Sequence, residues 1–285
     1  MSNPDLAVST ARSFLAEFGI DAGTRLQQIA PKMGLRVVEV DAESFDGALL
    51  RVVGEPRGTV ALRRTIAEEG RKRFTLAHEI GHYLLPNQQE ALRPCVPTEI
   101  ESWSSENAGY EIDANTFAAE VLMPRERIVG ALRVAPSLAS AQQTATELGA
   151  SLTAAALRLV ELSSFRVALV VSRNGRSEWY RASPEFGRAV RLGILEQRTG
   201  PAAYFRDAPL PLGVQGTPAD AWLYDSNLRP GALVWEESVV LAAYKTVLTV
   251  LELRERVEER SDYDEGETDE LDPSDFTLRR KRWPR

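Results

Sequence analysis

Histidine and cysteine are both scarce in this chain, which has 285 residues but only two histidines and one cysteine. With Cys95 alone, no disulfide can form within the chain, and the expected setting is a reducing cytoplasm. Long apolar runs are also missing. Stretches such as Val239 to Tyr244 fall far short of the roughly 20 residues that span a bilayer, so no membrane association is expected. The opening residues, MSNPDLAVST, lack the basic start and apolar core of a secretory signal. Nor is positive charge in excess. Lys and Arg total 34 against 41 Asp and Glu, a net charge of −7, which argues against a protein built to grip nucleic acid phosphates. What remains is an ordinary globular composition, 44% hydrophobic and 26% charged, long enough for about two domains.

Periodicity and punctuation divide the chain. Helices are expected over Pro4 to Phe18 and Thr24 to Met33, followed by short strands at Leu35 to Val40, Ala48 to Val53 and Gly58 to Leu62. The short links between these strands predict an antiparallel sheet. Helices follow at Arg71 to Leu85, ended by Pro86, and at Glu111 to Met123, ended by Pro124, with a polar loop from Asn87 to about Gly109 between them. Ser137 to Leu162 reads as two helices around Gly149, with Ser151 as the second N-cap. From Phe165 the pattern turns to strands: Arg166 to Ser172 and Glu178 to Arg181 around Asn174-Gly175, then Ala219 to Tyr224, Ala232 to Glu237 and Thr246 to Leu253. Pro201 to Pro218 reads as a long loop. Glu252 to Asp275 holds 12 acidic and 3 basic residues, and a charged, disordered tail over 254–285 is expected. The fold class is therefore α+β. The expected divisions are 1–135, a helix-turn-helix-like connector at 136–163, a β-rich possible sensor domain at 164–253, and the tail.

Both histidines fall in one motif, His78-Glu79-Ile80-Gly81-His82. On a helix, positions i and i+4 share a face, so both imidazoles can reach one cation while Glu79 stands beside it. A metal there lowers the pKa of a bound water, and Glu79 takes its proton as general base. Leu76, Ile80 and Leu84 form the apolar row such a helix needs, and Gly81 lets another element approach. A hydrolytic site wants three protein ligands, and no third histidine exists, so the third must be a carboxylate. The next helix offers Glu111 and Asp113, with Ala114, Phe117, Ala118 and Val121 facing inward. Spacing favours Glu111 only modestly over Asp113, and Glu120 is expected toward solvent. Two histidines and a carboxylate suit Zn2+, with Mn2+ as the alternative.

These two blocks, Phe74-Thr75-Leu76-Ala77-His78-Glu79-Ile80-Gly81-His82 and Glu111-x-Asp113-Ala114-Asn115-x-Phe117-Ala118-Ala119-Glu120-Val121-Leu122-Met123-Pro124, resemble the ImmA/IrrE family of zinc metallopeptidases. The resemblance covers roughly residues 5 to 135. It implies a zincin-like domain, a metallopeptidase activity, and Glu111 as the third zinc ligand. It also implies a substrate, a cognate repressor of the helix-turn-helix (XRE-like) kind whose cleavage switches on a stress or mobile-element response. The later segments are similar to the longer, IrrE-like members, in which the end of the chain is described as GAF-like. The alternative is a non-catalytic regulatory protein that binds and sequesters such a repressor.

With no histidine left to steady an oxyanion, a Tyr, an Arg or a backbone N–H must do so, and Tyr83 and Tyr110 are nearest in sequence. Tyr83 could equally be a packing residue. The paired helices of the connector have no Lys or Arg from Val134 through Leu157, so direct DNA binding is not expected. Arg63, Arg64, Arg71, Lys72 and Arg73 crowd the start of the motif helix and read as a solvated surface.

Overall fold

A computed structural model describes residues 2–20, 25–51, 56–86, 93–95, 108–224 and 228–254, so the expected charged tail lies almost wholly outside the described residues. Helix α1 (Pro4–Phe18) starts where the Asn3 side chain accepts a hydrogen bond from Leu6 N, and stops at Gly19 in the left-handed conformation. The second expected helix is shorter. It splits into α2 (Leu26–Ile29) and a 3-10 turn (Ala30–Met33), because Pro31 cannot donate the hydrogen bond that would continue an α-helix. Strands β1 (Leu35–Val40), β2 (Gly47–Arg51) and β3 (Gly58–Arg63) follow, then α3 (Glu69–Leu84), β4 (Arg93–Cys95) and α4 (Ala108–Leu122).

The first sheet has the order β1-β3-β2-β4 and is mixed, not antiparallel as expected. β2 pairs antiparallel with both β3 and β4, but β1 runs parallel to β3 from Leu35↔Gly58 to Val40↔Arg63. The expectation failed because it tested each link for a crossover helix. Here β2 itself lies within the crossover that carries the chain from β1 back to β3.

Helix α3 lies between this sheet and α4, and α1 packs on α4 in turn. Gly81 allows the helix contact: a Cβ there would meet Phe117 Cδ1 at 3.1 Å and Ala114 Cα at 3.3 Å. Phe117 is fully buried at the crossing, a burial that stabilises by roughly 3 kcal/mol. After α5 (Arg125–Ile128) come the connector helices α6 (Leu138–Leu148) and α7 (Leu152–Leu162). Ser137 and Ser140 form a capping box for α6, Gly149 closes it at φ +61°, and Ser151 caps α7 as expected.

The second sheet is six-stranded and antiparallel, in the order β7-β6-β5-β10-β9-β8. Its strands are β5 (Val167–Arg173), β6 (Arg176–Ala182), β7 (Gly193–Ile194), β8 (Gln215–Pro218), β9 (Leu233–Leu241) and β10 (Thr246–Glu252). Asn174 and Gly175, both at positive φ, make the expected hairpin turn. Two expectations fail here. The span read as one long loop contains α8 (Gly200–Tyr204), capped by Thr199, and β8. Ala219 to Tyr224 is not a strand. Ala219–Trp222 forms α9, which buries Trp222 below the sheet, and only Leu223 makes a bridge, to Val190. Alternation on β5 decides what each face meets. Val167, Leu169 and Val171 join the core of α1, α3, α4, α6 and α7, while Ala168 and Val170 pack with Phe186 and Trp222. One core thus runs through the first sheet, the connector and the inner face of the second sheet.

Candidate metal centre

Helix α3 brings His78, Glu79 and His82 into the interior. His78 and Glu79 are fully buried, and the His82 side chain is 13% exposed. The close approach of α4 at Gly81 sets Glu111, in the first turn of α4, against both imidazoles. His78 Nε2 lies 3.1 Å from Glu111 Oε2, His82 Nε2 lies 3.5 Å from Glu111 Oε1, and the two Nε2 atoms are 2.9 Å apart. These three residues are a group able to hold a metal ion. The donor set fits. Tetrahedral ligands at about 2.0–2.1 Å from zinc are separated by about 3.3 Å, and the three separations bracket that value. Burial opposes ionisation of Glu111, but hydrogen bonds and charge from His78 and His82 outweigh it and hold the carboxyl well below its ordinary range.

The spacing argument left Asp113 open, and the structure separates it from the histidines. Its carboxylate accepts from Ser2 Oγ at 2.7 Å and from Asn3 N at 2.8 Å, so it anchors the start of α1. Glu120 differs from expectation. It is buried, because Arg158 of α7 and Arg12 of α1 both pair with it where those helices pack on α4. Arg158 Nε also donates to Met123 O at 3.2 Å.

Sequence reasoning gave no role to Asn115. It lies one helical turn after Glu111 on the same face, and its buried Oδ1 is 2.9 Å from His78 Nδ1. An amide oxygen only accepts, so Nδ1 carries a proton, which leaves Nε2 as the nitrogen that a metal would take. The signal was available: Glu111 and Asn115 repeat the i, i+4 spacing of the two histidines.

Gly47 was read only as part of a turn. In the structure it begins β2 against Glu79, where a Cβ would meet Glu79 Oε1 at 2.6 Å and Thr75 Cγ2 at 2.5 Å. Its neighbour Asp46 is fully buried between Arg63 and Arg71, and Arg71 Nε donates to it at 2.8 Å. The basic cluster expected to be a solvated surface is therefore engaged within the chain. Arg64 pairs with Asp41, Lys72 with Glu39, and Arg73 Nη1 donates to the carbonyls of Leu148 and Gly149 at the end of α6.

The two tyrosines are placed differently. The Tyr83 hydroxyl sits between the carbonyl oxygens of Met33 and Pro56, at 3.0 and 3.1 Å, under the Arg51 guanidinium. Tyr110 is exposed in the first turn of α4, one residue before Glu111. Among the described residues, no helix is long and apolar enough to cross a membrane.

No curated protein matches this chain. A family model does, over residues 30–160, a span that includes the connector as well as the two motif helices. That model is the peptidase M78 family, described as the IrrE N-terminal-like domain, and residues 30–160 carry a domain of that family.

Proposed function

We propose that this protein is a cytoplasmic zinc metalloendopeptidase that cleaves a cognate helix-turn-helix (XRE-like) repressor, switching on a stress or mobile-element response. The observation that carries the reading is the cluster of His78, His82 and Glu111, with the buried Glu79 on the helix of the two histidines. In this reading His78, His82 and Glu111 hold zinc, which when bound lowers the pKa of water and polarises the substrate carbonyl. Glu79 accepts the proton of the attacking water on a carboxylate oxygen and delivers it to the leaving amine. Gly47 keeps that carboxylate in place, and Asn115 keeps the His78 tautomer. Tyr110 is the better placed of the two tyrosines to meet the developing oxyanion, since the Tyr83 hydroxyl already lies against two carbonyls. An extended substrate segment pairs with the sheet edge on the Glu79 side, which is β4 alongside β2.

The connector acts as a brace and not as a DNA reader. Its one arginine, Arg158, is buried against Glu120, and the first turn of α7 faces a cavity inside the protein. Residues 1–135 are the peptidase unit, 136–163 the brace, and 164–253 a GAF-like sensor. The test is co-incubation with a candidate helix-turn-helix repressor. Chelator-sensitive fragments are expected, and Glu79→Gln should retain zinc while cleavage falls by about 100-fold or more. An intact stoichiometric complex from the zinc-loaded protein would replace this reading with sequestration of the repressor.

A further inference from the structure

A cavity of about 160 Å³, partly open to solvent, lies where α3, the first turn of α7 and the second sheet meet, and none of His78, His82 and Glu111 lines it. Its walls are mainly apolar: Phe74 from α3, Leu152 and Leu157 from α7, and Val171, Trp179 and Leu241 from the sheet. Interiors pack densely, and a gap of this size forfeits the dispersion contacts its walls would otherwise make. Water is a poor filler here, because a held water needs two to four polar partners. Most polar groups of the lining are already committed to one another or to neighbours. Tyr244 donates to Glu68 at 3.0 Å, Arg71 holds Asp46, Arg173 Nε donates to Thr246 Oγ1 at 2.7 Å, and Ser151 Oγ accepts from Ala154 N.

The same pairing restricts the ligand. A charged molecule would have to break an existing ion pair or hydrogen bond to be recognised, whereas an uncharged one need only displace weakly held water. Size narrows it further, since a cavity of about 150 Å³ accommodates a single aromatic ring. Three aromatic side chains, Phe74, Trp179 and Tyr244, offer ring edges and faces to it. Access is provided at Tyr244, which is 39% exposed.

We propose that this cavity binds a small uncharged aromatic molecule and that its occupancy is felt at the metal centre through Phe74. Phe74 is both a wall of the cavity and the ring neighbour of His78, one helical turn away, with centroids 6.5 Å apart. A ring seated against Phe74 shifts it against the His78 imidazole. The inference goes beyond the peptidase reading and does not depend on it, because binding is read without any cleavage.

Fluorobenzene is the probe, observed by 19F NMR with the zinc-loaded full chain and again with the metal removed. Saturable binding is expected in both, with a dissociation constant of about 1 mM or tighter. Thr153→Phe, at the partly exposed rim, should weaken binding at least about tenfold, a loss of about 1.4 kcal/mol, with the thermal midpoint unchanged. If that variant fails to fold, Leu241→Trp fills the opposite wall and should give the same loss. Because the chain has only two histidines, a 15N-histidine spectrum reports on the centre directly, and His78 should shift on saturation. Absence of saturable binding, or binding indifferent to both filling variants, overturns the site. Saturation without any shift of His78 overturns the coupling.

Discussion

Asn115→Ala removes a contact that orients the His78 imidazole without touching the proposed ligand set. The wild-type amide accepts the His78 Nδ1 proton at 2.9 Å, in a place where both groups are buried. Truncation leaves a buried N–H with no acceptor, a cost of about 1–3 kcal/mol. Loss of an outer partner to a metal-bound histidine weakens metal binding by about 10- to 100-fold, or about 1.4–2.7 kcal/mol. The expected outcome is a zinc dissociation constant raised by about 30-fold. Asn115→Asp keeps an acceptor oxygen at the same reach and should retain wild-type affinity or exceed it. The assay is competition against a chromophoric chelator near neutral pH, paired with a 15N-histidine spectrum of the metal-free protein. Wild type should show His78 protonated on Nδ1, and Asn115→Ala a mixture of tautomers. Zinc affinity within about twofold of wild type, with an unchanged tautomer spectrum, would refute the positioning role.

Gly47→Ala should leave zinc affinity in place but reduce cleavage by about 100-fold, because the new methyl displaces the Glu79 carboxylate; equal loss of both would mean general misfolding. Arg158→Ala strands the buried Glu120 with Arg12 alone, so unfolding free energy should fall by about 3 kcal/mol and the melting point by about 10 °C. Arg198→Ala, at an exposed pair with Asp220, is the contrast and should leave the melting point in place. Burial raises the Glu236 pKa from 4.5, against hydrogen bonds from Trp222, Gly200 N and Thr217. A raised folded pKa means that the contribution of Glu236 is complete below 4.5 and is lost as pH rises through the folded value. Denaturation midpoints measured from acid to neutral pH should therefore fall for wild type relative to Glu236→Gln, and a constant gap between the two would contradict this.

Signals that act within a few residues were legible in the sequence, and those that depend on distant partners were not. Proline and glycine stops, the Ser151 cap and the i, i+4 histidines are local, and they placed α1, α3, α4, α6 and α7 within a few residues of where they fold. Scarcity of histidine pointed to a carboxylate as the third ligand. It could not separate Glu111 from Asp113, because both stand in the opening turns of α4. What separates them is Ser2 and Asn3, far away in sequence, which draw Asp113 to the start of α1. Glu120 is the same case, since Arg12 and Arg158 approach it from opposite ends of the chain. The parallel pairing of β1 with β3 and the role of Gly47 were hidden for the same reason, because neither leaves a mark on its own stretch of sequence.

The distribution of those distant contacts says why the chain continues past its metal helices. Arg71 ties α3 to Asp46 and so to the strand that leans on Glu79, while Arg73, two residues on, holds the last carbonyls of α6. Arg158 reaches from α7 to the carbonyl that ends α4 and to Glu120 within it. The N-terminus of α6 is held in turn by Glu237 of β9, which accepts from Leu138 N at 2.8 Å. The connector thus touches both helices that carry the site and the sheet beyond them, mostly through buried or half-buried polar contacts that lose their partners if either side moves. Such contacts cost more to break than exposed ones, so displacement of the second sheet is resisted through α6 and α7 before it reaches His78 and Glu111. The family match ends within α7 and not at the end of α4, so the matched domain includes the connector helices that make these contacts.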